Sequence, residues 1–90
     1  MIINSGQHIA SSKFIADCHF LSGLVLKAQS YYVQATLKTQ EALQHYQKAG
    51  NRLGAAQCLQ SIGDILGMES NYSDAKDKLK DAMEQFQQIG

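Results

Sequence analysis

The chain has no proline and no tryptophan, and only two cysteines in 90 residues. Without proline, nothing forces a helix to break, and the connections must come from caps and glycine turns. Two cysteines are too few for the disulfide framework of a small secreted domain, so a reduced, intracellular setting is expected. Charge of one sign is also lacking: eight Lys and Arg balance eight Asp and Glu. A nucleic-acid binder normally carries a basic face, so nucleic acid is not an expected partner. No run approaches the ~20 apolar residues of a membrane span. The start, Met1-Ile2-Ile3-Asn4-Ser5-Gly6, has neither the basic flank nor the apolar run of a secretory signal. A membrane partner is therefore not expected either. What remains is 44% hydrophobic residues, enough for one packed core of marginal stability.

An internal repeat organises that content. Shifted by 40 places, the chain matches itself at Ala16/Ala56, Cys18/Cys58, Gly23/Gly63, Leu26/Leu66, Ser30/Ser70 and Tyr32/Tyr72. The matches continue at Ala35/Ala75, Lys38/Lys78, Ala42/Ala82, Gln47/Gln87 and Gly50/Gly90, giving 11 identities in the 35 places from 16 to 50. Chance gives about two, at roughly 6% per place. Two copies of one unit are expected, a first over 12–50 and a second over 51–90, with residues 1–11 as a lead-in.

Each copy reads as two helices. Tyr72, Ala75, Leu79, Ala82, Phe86 and Ile89 are spaced 3, 4, 3, 4, 3, one stripe on a helix. The first copy repeats it as Tyr32, Ala35, Thr39, Ala42, Tyr46 and Ala49. Upstream, Ala55, Cys58, Leu59, Ile62 and Leu66 form another stripe, matched less cleanly by Ile15, Cys18, Ser22, Val25 and Leu26. Gly50-Asn51 reads as a helix end and a new cap, Ser70-Asn71 as a cap pair ahead of Asp74, and Ser11-Ser12 as the cap of the first helix. The spacing predicts helices near 12–28, 31–48, 52–68 and 71–88. Short loops make successive helices antiparallel. The expected fold is all-α: two tandem helical hairpins, four helices, no strands.

Leu59, Ile62-Gly63, Leu66, Tyr72, Ala75, Leu79 and Ala82 resemble the signature of the tetratricopeptide repeat family. The 40-residue period and the phrase Gly50-Asn51-Arg52-Leu53-Gly54-Ala55-Ala56-Gln57-Cys58-Leu59 are similar to its longer subclass. The resemblance covers about 16–90. The first copy departs from it at His19, Ser22 and Thr39, as terminal repeats often do. The resemblance implies an α-solenoid fragment and a non-catalytic scaffold that binds a partner peptide or helix in a concave groove. It places Asp17, Phe20, Leu24, Lys27 and Ala28 on that groove from the first copy, and Gln57, Gln60, Asp64, Gly67 and Met68 from the second. Leu24 and Asp64 stand where carboxylate-clamping members carry Asn, so a carboxylate clamp is not expected.

The remaining polar residues form no catalytic pattern. Cys18 and Cys58 are expected to be small buried residues. Corresponding points of stacked helices lie ~10 Å apart, beyond disulfide reach. Cys18 and His19 are too few for a metal site, and no cofactor is expected. His19 reads as packed and His45 as solvated. Asp74, Asp77, Lys78, Lys80, Asp81 and Glu84 read as a solvated face, with Asp74–Lys78 and Lys80–Glu84 spaced for helical pairing.

Two repeats are fewer than the usual minimum of about three, and Gly90 falls in the phase of Gly50, so a third repeat is expected next. Leu79, Met83 and Phe86 then form an open end. Charge divides as well: residues 1–50 carry +2 and residues 51–90 carry −2. The alternative reading is a structural module that self-associates through such ends, with helix exchange as one route, or stacks within a longer signalling protein.

Overall fold

Three turns of one geometry set the fold. At each, a residue with left-handed backbone ends a helix: Ser30 (φ 66°), Gly50 (φ 69°) and Ser70 (φ 64°). Their N–H groups donate to Lys27, Gln47 and Gly67 carbonyls, and the next N–H groups, of Tyr31, Asn51 and Asn71, reach back to Leu26, Tyr46 and Leu66. This paired pattern satisfies carbonyls that a helix end otherwise leaves open. The chain restarts at once. Gly54 N–H donates to Asn51 Oδ1 at 2.9 Å, an N-cap bond. Asn71 instead donates its side-chain amide to Asp74, at 3.0 Å.

A computed structural model describes the backbone of residues 5–89 and the side chains of residues 13–89. It contains four helices: α1 (Ser5–Ala28), α2 (Tyr32–Lys48), α3 (Arg52–Met68) and α4 (Tyr72–Ile89). Residues 1–4 and 90, with the beginning of the expected lead-in and the end of the second copy, lie outside the described residues. α1 packs along α2, α3 along α4, and α2 along α3, while α1 and α3 touch only briefly. The protein is all-α, two antiparallel hairpins side by side, with no strand among the described residues.

The start of α1 corrects the expected boundary near 12. Ser11-Ser12 lie inside the helix rather than capping it. The 40-residue counterpart of Gly50 is Ala10, a strong helix former that supplies no left-handed stop.

The core is small-residue and close-packed. Ala16, Ala42, Tyr46, Ala55 and Cys58 form one buried cluster across α1, α2 and α3, with Phe20 and Leu43 packed on it. Gly23 and Gly63 hold each hairpin together. A β-carbon on Gly23 would lie 2.6 Å from Thr39 Oγ1, and one on Gly63 would lie 2.8 Å from Leu79 Cδ2. These are equivalent contacts, one in each copy. Thr39 is fully buried and donates its hydroxyl to Ala35 O at 2.7 Å. That bond lets a polar residue occupy the site where the second copy has Leu79.

Several stripe residues are not core. Ile15, Cys18, Ser22 and Val25 are exposed, and α1 buries Ala16 and Gly23 instead. The corresponding α3 face is covered by α2, whereas nothing among the described residues covers that face of α1. The same holds at the other end. Tyr72, Leu79 and Ile89 are exposed, and α4 buries only Ala75 and Ala82.

Candidate functional site

The residues that α1 and α3 do not bury face each other across a shallow groove of about 190 Å³. Helical spacing puts Phe20, Leu24 and Lys27 on its α1 wall and Gln57, Gln60 and Asp64 on its α3 wall. Six of the ten expected concave residues therefore meet in one place. Phe20 and Leu24 are half-buried, which leaves an apolar wall beside two amides and two opposite charges. Ser61 lies at the floor. Its hydroxyl is buried and has no hydrogen-bond partner among the described residues. Sequence reasoning missed Ser61: its counterpart in the first copy is Leu21, so the repeat gave no signal.

The other four expected residues sit elsewhere. Asp17 accepts hydrogen bonds from Tyr46 Oη and from Lys13 Nζ, the latter at 3.0 Å. The Tyr46 hydroxyl, and secondarily Lys13, hold its carboxyl below the usual range. Burial and the facing carboxylate push the Tyr46 phenol well above its ordinary value. Met68 belongs to a separate groove of about 740 Å³ between α3 and α4, with Gly67, Tyr72, Leu79 and Met83. Ala28 is exposed.

Leu79, Met83 and Phe86, the predicted open end, do come together. They line a groove of about 470 Å³ with Gln60, Ala82 and Gln87. At the opposite end, Phe14, Ile15, Leu21 and Val25 on α1 are exposed together with Val33 and Leu37 on α2. Contiguous apolar exposure of this kind marks interaction surfaces.

The titratable side chains are dispersed. Cys58 is buried, and burial pushes its thiol up to about 12. Cys18 is exposed rather than buried, a correction that follows from the uncovered face of α1. His45 is not simply solvated: it stacks on His19, with ring centroids 5.5 Å apart, and His19 Nδ1 lies 3.1 Å from a Glu41 oxygen. Neither the Asp74–Lys78 nor the Lys80–Glu84 pair is closed as an ion pair; those present among the described residues are Lys13–Asp17 and Lys38–Glu41. Among the described residues, no three His, Cys, Asp or Glu side chains converge on a common point, and no helix is long and apolar enough to cross a membrane.

No family model matches the chain, and no curated protein or solved structure matches it.

Proposed function

We propose that this chain is a non-catalytic protein-interaction scaffold of tetratricopeptide type that holds a partner peptide between α1 and α3. The observation that carries the reading is Ser61, an unpaired buried hydroxyl on the floor of a groove walled by Phe20, Leu24, Gln57 and Gln60. An unmade hydrogen bond costs about 1–3 kcal/mol, and a partner that supplies it recovers part of that cost. The two glutamine amides each offer a donor and an acceptor, which suits the alternating N–H and C=O groups of an extended peptide. Phe20 and Leu24 would take one apolar side chain of it, and Lys27 and Asp64 would orient it by charge. The role requires no cofactor, nucleic acid or membrane, and the cysteine usage fits an intracellular setting.

The test uses peptides selected from a random display library on the wild-type chain. Leu24→Glu should abolish their binding, and Gln60→Ala should weaken it about tenfold. Ser61→Ala should weaken binding while leaving the free chain as stable or more so, because it removes an unsatisfied group. Binding unchanged in all three variants, with helicity intact, would overturn the groove. The exposed apolar ends favour a second role, stacking as a structural repeat module.

A further inference from the structure

The packing of α2 on α3 is an internal template for a contact between molecules. α2 offers Ala42, Leu43 and Tyr46; α3 receives them on Gly54, Ala55 and Cys58. Forty residues on, α4 carries Ala82, Met83 and Phe86 in the same register, with Ala82 buried against α3, Phe86 half-buried and Met83 exposed. Forty residues back, α1 carries Phe14, Ile15 and Cys18. The burial of equivalent residues differs sharply. Ala55 is 7% exposed but its counterpart Ile15 43%, Cys58 is buried but Cys18 exposed, and Leu43 is half-buried where Met83 is 60% exposed; Phe86, the counterpart of Tyr46, is half-buried. Each molecule thus displays both halves of a contact that it already makes once internally.

We propose that a second copy of this chain seats on these faces head to tail, with its α1 packed on α4 of its neighbour. The proposal rests on the stacking role and is independent of the α1/α3 groove. Two further observations favour a copy as the occupant. The half containing α1 carries +2 and the half containing α4 carries −2, so this orientation is attractive and a tail-to-tail pairing is repulsive. The chain also exposes 5969 Å², against ~5200 Å² for a compact monomer of its mass. That excess is of the order of one partner's share in a standard-sized interface, ~800 Å².

The copy cannot reproduce the internal contact in full. Phe14 replaces Gly54, so the Phe86 ring meets another ring instead of bare backbone. Copies therefore sit farther apart than repeats within the chain, and the assembly dissociates on dilution. Because the two faces differ, the contact is heterologous and does not close at two copies.

Sedimentation of the full chain over a hundredfold concentration range tests this. The mean mass should rise with concentration and pass that of a dimer, and added salt should weaken the effect. Leu21→Lys blocks the α1 face and Met83→Lys blocks the α4 face. Both positions are exposed, and circular dichroism verifies that the helices persist; Val25→Lys gives a second α1-face variant. Each variant alone should be at least tenfold weaker in association. An equimolar mixture of Leu21→Lys and Met83→Lys should form a dimer and stop there, because one intact face of each kind remains. A monomer at every concentration, an undiminished dimer of Leu21→Lys, or a mixture that stays monomeric would each overturn the proposal. None of these results bears on peptide binding in the groove.

Discussion

The ring of Tyr46 lies against the bare backbone of Gly54, and this contact joins the two hairpins. A β-carbon on Gly54 would lie 2.6 Å from Tyr46 Cγ, far inside van der Waals contact. The ring has no room to retreat, because its hydroxyl is anchored to Asp17 on α1. One side chain thus ties α1, α2 and α3 together.

Gly54→Ala should therefore destabilise the fold by about 2–3 kcal/mol through overpacking, despite the better helix propensity of Ala. Gly67, in the same helix, has nothing within 4 Å of where its β-carbon would stand. Gly67→Ala should stabilise by about 0.5–1 kcal/mol. Urea denaturation of the two variants should move the midpoint in opposite directions. Two shifts of the same sign would mean that the repeats are not joined through this ring.

Much of this was legible in the sequence, for identifiable reasons. α2, α3 and α4 each follow one of the three left-handed turns, and their boundaries fall within a residue of those predicted from stripes and caps. Ahead of the expected start of α1 the repeat offers Ala10 in place of the turn glycine, and that start was misplaced. The buried face of α1 was misread for a related reason. Ile15, Cys18 and Val25 follow the pattern of a helix covered by a preceding repeat, and periodicity records that pattern whether or not the cover is present. The groove residues Phe20, Leu24, Gln57 and Gln60 were named through the resemblance to a repeat family, and helical spacing then keeps each set on one face of its helix. Ser61 and the His19–His45 stack were not, because a missing hydrogen bond and a cross-helix contact depend on tertiary position.

The turns supply the second prediction. Ser30 and Ser70 hold a left-handed backbone, which costs a residue with a β-carbon roughly 1 kcal/mol relative to glycine. Ser30→Gly and Ser70→Gly should each raise stability by about 0.5–1 kcal/mol, and Gly50→Ala should lower it by about 1 kcal/mol. Nothing stands within 4 Å of a β-carbon on Gly50, so any loss there isolates the backbone term. Thermal melts of the three variants give the comparison. A neutral Gly50→Ala would show that the turn relaxes out of the left-handed region.

The third prediction concerns the Tyr46–Asp17 bond and its dependence on pH. The Asp17 carboxyl is held below its usual value, chiefly by the Tyr46 hydroxyl. Its contribution is present above the unfolded value near 3.9 and is lost as pH falls through the lower folded value. The Tyr46 phenol is pushed above its usual value by burial and by Asp17. Its contribution is present below the unfolded value near 10 and is lost as pH rises beyond it. Tyr46→Phe removes both effects while keeping the ring on Gly54. The variant should be less stable by about 1 kcal/mol or less at pH 7, because the carboxylate is partly exposed and solvent screens the pair. That deficit should hold from about pH 5 to 9 and shrink at both extremes. Denaturation at pH 3, 7 and 10.5 distinguishes the cases: a deficit that stays the same at all three would assign the loss to packing rather than to the hydrogen bond.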